Sequence, residues 1–216
     1  MPTAASKLSK KTVRLVIIGH SYCRRLGEFL LKMEGDAGHV MVDGTQVVVT
    51  YVHQGGVNYA FFNGSPYHKR LVVDSKPDVV LVVLGGNAVG RRDPIPQGVQ
   101  EMRKYHGWLK GALPNAIIVC AEVEPRYNHD PSVPKGMISP LDRDGTHRET
   151  YWFRRSAFNQ AINRMKDKDF TLRTAKYLNR REFFDRGGVH LNDRGNHFYW
   201  GLIKDCLAKV ILRFHL

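Results

Sequence analysis

The sequence predicts a doubly wound α/β domain around a parallel sheet. Two observations carry this. Short, nearly unbroken apolar runs recur along the chain, as strands covered on both faces require. Stretches with helical spacing separate them, so consecutive strands are joined by crossover helices rather than by hairpins.

The elements follow in order. Residues 1–11 hold Lys7, Lys10 and Lys11 and read as a disordered basic lead-in, with 12–216 as one domain. Val13 to Ile18 is apolar except for Arg14 and reads as the first strand. Tyr22 to Met33 places Leu26, Phe29, Leu30 and Met33 on one side of a helix. Val47 to Val52 is β-branched and strand-like, and Val79 to Leu84 is wholly apolar. Gln97 to Leu113 reads as a helix that stops before Pro114. Ala116 to Ala121 is a further buried strand, Thr150 to Lys166 a long helix, and Phe170 to Tyr177 holds the last strand. Arg194 to Phe214 closes the chain as a helix, with Trp200, Leu202, Ile203, Leu207 and Ile211 as its apolar stripe. Residues 122–149 stand apart. Pro125, Pro131, Pro134 and Pro140 make them a long loop, read either as a border of the substrate site or as a surface excursion.

Composition narrows the function classes. The length of 216 residues suits one full core. Cys23, Cys120 and Cys206 cannot form a paired framework and fit no zinc spacing, so they read as reduced thiols of an intracellular protein, cytoplasmic or nuclear. The apolar runs are strand-length, which excludes a transmembrane segment, and no signal-peptide core follows Met1. A net charge of +13 predicts a positive surface that attracts RNA, single-stranded DNA, anionic lipid or an acidic substrate. Oligomeric state is not legible.

In open parallel sheets, sites form beyond the carboxyl ends of the strands. After the first strand comes Gly19-His20-Ser21-Tyr22, after the second Gln54-Gly55-Gly56-Val57, after the third Gly85-Gly86-Asn87-Ala88. Ahead of the closing helix stands Gly188-Val189-His190-Leu191-Asn192-Asp193. A hydroxyl, a flexible backbone, an amide and an imidazole are the parts that acyl transfer needs. Serine becomes a nucleophile when a base takes its proton, and histidine is the usual base near neutral pH. The oxyanion then needs fixed donors. The N–H of Ser21 at a helix start, the N–H of Gly56 and the side-chain amide of Asn87 are the candidates. Taken singly, each has a plainer reading. Ser21 can cap the following helix, Gly55-Gly56 can be a turn, Asn87 can fill a turn, and His190 can be a surface histidine.

Together the blocks resemble the SGNH hydrolases, or GDSL-type esterases, from Val13 to the final helix. The Gly-Asp-Ser block is similar to Gly19-His20-Ser21, the second-block glycine to Gly56 (or Gly55), the Gly-x-Asn-Asp block to Gly85-Gly86-Asn87-Ala88, and the last block ends at His190. The resemblance implies a three-layer α/β/α sandwich around about five parallel strands, flavodoxin-like in its layering. It implies a serine esterase or deacetylase that acts on a small acyl ester without cofactor or metal, with a non-catalytic or dual-function nucleic-acid-binding domain on the same fold as the alternative. Ser21 would be the nucleophile and His190 the base. Ser21, Gly56 and Asn87 would form the oxyanion hole. The paired blocks Gly19 to Leu26 and Val189 to Asn192 also resemble SGNH domains of animal non-LTR retrotransposons, some of whose relatives act near RNA.

The departures define the open questions. His20 and Ala88 stand where the family has aspartates. Gly187 stands where the family's last block has the aspartate that orients the base, and Asp185 is the nearest preceding carboxylate. Either Asp185 folds back to the imidazole at hydrogen-bond distance, or a main-chain carbonyl holds it. For nucleic acid, the paired arginines Arg24 and Arg25, Arg91 and Arg92, Arg154 and Arg155, and Arg180 and Arg181 are the candidate phosphate contacts. The alternative to this binding surface is that such residues cover apolar stems or pair with acids.

Overall fold

The structure is a computed structural model and describes residues 12–90, 94–127 and 147–216, with side chains of the second-last helix from 151 onward. A six-stranded sheet runs in the order β2-β3-β1-β4-β5-β6. Its strands are β1 (Thr12–Gly19), β2 (His39–Val42), β3 (Thr45–His53), β4 (Val79–Val83), β5 (Ile117–Ala121) and β6 (Phe170–Leu172). All neighbours pair in parallel except β2, which lies antiparallel to β3 at the edge. The five parallel strands match the expected number, and β2 is an addition. It is joined to β3 through Asp43 and Gly44, both at positive φ, which is the backbone of a tight hairpin turn.

Among the described residues seven α-helices flank the sheet: α1 (Ser21–Glu34), α2 (Tyr59–Gly64), α3 (Pro66–Asp74), α4 (Gly86–Gly90), α5 (Ile95–Ala112), α6 (His147–Arg164) and α7 (Asp193–Phe214). Alternation along each strand feeds two cores. Val13, Leu15 and Ile17 of β1, with Val79, Leu81 and Val83 of β4, meet Leu26 and Leu30 of α1 and Trp200, Ile203 and Leu207 of α7. On the opposite face Val16, Ile18, Val80, Val82 and Ile118 meet Phe62, Val72, Met102, Tyr105, Leu109, Phe158 and Ile162 from α2, α3, α5 and α6. This is the three-layer α/β/α sandwich.

Several boundaries differ from the sequence reading. No element was expected between Val57 and Pro77, yet α2 and α3 lie there. Asn58 and Ser65 cap them through their side chains. α6 begins at His147, inside the stretch read as loop. The last strand is only Phe170–Leu172. The basic lead-in, Arg91, Arg92 and residues 128–146 of the long loop lie outside the described residues. Among the described residues no helix is long and apolar enough to cross a membrane.

The register aligns the strand ends. Gly19 pairs with His53 on one side and with Val83 on the other. The segments that follow β1, β3 and β4 therefore leave the sheet at one level, and Ser21, Gly56 and Asn87 emerge along one edge.

Candidate active site

Ser21 opens α1 but does not cap it. His20 is the cap, and its Nδ1 accepts the N–H of Tyr22 at 3.4 Å. The Ser21 hydroxyl is thereby left to the site, and its Oγ lies 2.8 Å from Nε2 of His190. These two residues are 169 positions apart in sequence. His20 is buried, which pushes its pKa down to about 3, with the charges of Arg126 and His190 adding to the effect. It therefore stands neutral at neutral pH.

The loop carrying His190 is pinned from several sides. Phe184 and Leu191 form a β-bridge. Asp185 donates its N–H to the His190 carbonyl at 2.8 Å, and Tyr127 donates its N–H to the Gly188 carbonyl at 2.6 Å. The Tyr22 hydroxyl donates to the Val189 carbonyl, and the Tyr22 ring sits 5.8 Å from the imidazole centroid. Burial lowers the His190 pKa to about 4. The charges of Arg25, Arg126 and Arg24 push the same way, and Asp185 opposes them. The imidazole is therefore neutral at neutral pH and able to accept a proton.

Asp185 does turn toward His190, but it stops short. Its Oδ2 lies 3.9 Å from Nδ1, beyond hydrogen-bond reach, while Arg25 takes the same oxygen at 3.2 Å. Its buried Oδ1 has no hydrogen-bond partner among the described residues. The expected hydrogen bond is thus replaced by a carboxylate shared with an arginine of α1. The rival expectation, a main-chain carbonyl on Nδ1, is not seen among the described residues either.

Of the oxyanion candidates, Asn87 on α4 reaches across to the loop that carries Gly56. The Asn87 Nδ2 donates to the carbonyl of Val57 at 2.9 Å, which brings it beside Gly56. Gly56 has φ +72°, in the left-handed region, and a Cβ there would meet nothing within 4 Å. The left-handed backbone at 56 is one that glycine adopts without strain.

Sequence reasoning missed Arg126. Its guanidinium donates to Oδ1 of Asn87 at 2.9 Å and lies 5.9 Å from the centroid of the Tyr151 ring. It also missed Glu124, a buried carboxyl whose pKa burial raises to about 7. Both follow β5, so the strand-end rule marks their segment, though not the individual residues.

The arginine set divides. Arg155 is buried and spends Nε on the Val123 carbonyl and NH2 on that of Ala175, at 2.9 and 3.0 Å. Arg154 holds the carbonyls of Val89 and Ala88 at the end of α4. Arg181 holds those of Phe184, Asp185 and Arg186. These three hold main-chain carbonyls around the site. In the open groove between α1 and the start of α7, Arg24 pairs with Glu28, Arg25 with Asp185, Lys32 with Asp193 and Arg194 with Glu182. Arg180 is exposed, with Glu182 at 3.8 Å.

No protein-family model and no curated protein matches the sequence. Solved structures do. The psychrotrophic esterase EstA from Pseudoalteromonas sp. superposes with a TM-score of 0.60 at 14% identity, over 92% of this chain and 98% of that one. A carbohydrate esterase family 3 protein from Talaromyces cellulolyticus gives 0.61 at 15%, over 93% and 99%. The lipase/acylhydrolase from Enterococcus faecalis gives 0.58 at 15%, over 91% and 96%. At such identities the likeness is one of architecture, and in architecture the chain has the SGNH-hydrolase fold.

Proposed function

We propose that this protein is a serine esterase of the SGNH type that hydrolyses short acyl esters. The observation that carries the reading is the 2.8 Å contact between Ser21 Oγ and His190 Nε2 at the carboxyl edge of a parallel sheet.

Neutral His190 takes the Ser21 proton as Oγ attacks the ester carbonyl. The carbonyl π pair moves onto oxygen, where the N–H groups of Ser21 and Gly56 and the Nδ2–H of Asn87 receive it. The positive end of the α1 dipole helps. The tetrahedral adduct collapses, His190 returns the proton to the departing alcohol, and an acyl-Ser21 ester remains. Water then attacks that ester with His190 again as base, which releases the acid and restores Ser21. Asp185 contributes charge rather than a hydrogen bond to the imidazolium formed on the way. The esterase and lipase neighbours support the ester as substrate class. The EstA structure, described as inhibited by monoethylphosphonate, supports phosphonates as probes.

The test is covalent. A fluorophosphonate should label wild-type protein at Ser21 and not Ser21→Ala. With nitrophenyl acetate, Ser21→Ala should lower kcat by at least about 10³. A folded wild type that neither labels nor turns over any short ester refutes the reading.

A further inference from the structure

We propose that Arg126 is a positioning residue that fixes the Asn87 carboxamide in the orientation the oxyanion hole requires. This rests on the esterase reading above.

A carboxamide can be turned over about its terminal bond with almost no change of shape, which exchanges its oxygen and nitrogen. At Asn87 the two neighbours decide the matter. Arg126 carries donors only, so the atom 2.9 Å from its NH2 must be the oxygen. The Val57 carbonyl is an acceptor only, so the atom 2.9 Å from it must be the nitrogen. Turning the group over would set NH2 against guanidinium and oxygen against oxygen, and both bonds would be lost. In the observed orientation one N–H is used on Val57 and the other makes no hydrogen bond among the described residues. The charged bond at Oδ1 also polarises the amide and makes its N–H a stronger donor.

The guanidinium lies against the end of α4: a Cβ on Gly90 would stand 2.5 Å from NH1, so a side chain there would displace the guanidinium from its present place. The same segment reaches the base. Tyr127, the next residue, bonds the Gly188 carbonyl of the His190 loop at 2.6 Å. Arg126 therefore links the oxyanion side of the site to the base side, and its charge disfavours the protonated form of His190.

The experiment is a double-mutant cycle on nitrophenyl acetate hydrolysis with Arg126→Ala, Asn87→Ala and both together. Arg126→Ala should lower kcat about 10- to 100-fold with KM little changed, less than loss of the donor itself. In the Asn87→Ala background the same change should cost less than about twofold, because its effect passes through that amide. Arg126→Lys, which keeps a charged donor without the planar fork, should recover part of the rate. The acid limb of kcat/KM should move to higher pH in Arg126→Ala, a shift that a merely structural role would not produce. Full additivity in the cycle, or a loss wholly explained by a fall in Tm, overturns the proposal. If Arg126→Ala does not fold, the cycle is run with Arg126→Lys and the same criterion. Fluorophosphonate labelling separates the two failures. An active, labelled wild type with an additive cycle removes Arg126 alone, whereas an unlabelled, inactive wild type removes the esterase reading and this proposal with it.

Discussion

Asp185→Asn deletes one negative charge 3.9 Å from Nδ1 of His190 while keeping the shape of the side chain. The imidazole is neutral before reaction, so the charge acts on the imidazolium that forms as Ser21 loses its proton. Two unit charges at that distance interact by about 1 kcal/mol in a water-like medium and about 4 kcal/mol at an effective dielectric of about 20. The side chains of His190 and Asp185 are 25% and 32% exposed, and Arg25 shares the carboxylate, so the lower end applies. The expected loss is about 5- to 20-fold in kcat, with KM nearly unchanged. A carboxylate bonded directly to the ring would cost about 10⁴-fold. Initial rates with nitrophenyl acetate between pH 4 and pH 8 give the assay. They also give a second sign. Asp185 favours protonated His190, so its loss should move the acid limb of kcat/KM to lower pH. A fall of about 10³ or more would refute the reasoning and would mean that the carboxylate closes onto the imidazole when substrate binds.

Asn87→Ala should retain the fold and lower kcat about 10²- to 10³-fold, the usual effect of removing one oxyanion donor, and an unchanged kcat would make Asn87 a turn residue. Arg155→Met should lower stability by about 1–3 kcal/mol in denaturant titrations, because the buried carbonyls of Val123 and Ala175 lose their donor. If Arg155→Met keeps its stability but retains less RNA on filters, the arginine returns to the list of phosphate contacts. Acid should destabilise the protein below pH 6.5. His20, His106 and His190 have folded pKa values of about 3, 3 and 4, so the unfolded chain takes up their protons first and stability falls as pH drops. Glu124, raised to about 7, works in the opposite direction between pH 7 and 4.5 and cancels one of the three. A Tm that stays flat from pH 6.5 to 4.5 would contradict this balance.

What was legible in the sequence follows from what each signal measures. Val79 to Val83 could be read because a strand covered on both faces must be apolar throughout. β2 was missed although its cue was present. Asp43-Gly44 is a hairpin dipeptide, and Val40 and Val42 alternate with exposed neighbours. α2 and α3 are short and broken at Ser65-Pro66, so neither accumulates enough turns for a helical period to show. Ser21, Asn87 and His190 could be named because strand ends and residue type suffice to nominate them. The partner of Nδ1 could not, since counting positions in a loop gives proximity and not the direction of a carboxylate. Nor could pairs of arginines be told apart as braces or as free cations. Arg155 differs from Arg180 only in what surrounds it, and its surroundings come from distant parts of the chain.

The long separation of Ser21 from His190 bears on how the protein is made. Ser21, the proposed nucleophile, follows β1, whereas His190, the proposed base, sits on a loop anchored next to α7. Asn192 caps that helix and also holds the carbonyls of Glu182 and Phe184. A ribosome therefore exposes the serine long before it exposes the histidine. Until α7 docks on α1, an emerging chain carries a hydroxyl with no base beside it. On the esterase reading, activity therefore requires the His190 loop to be seated beside α1, so it reports on long-range assembly of the domain.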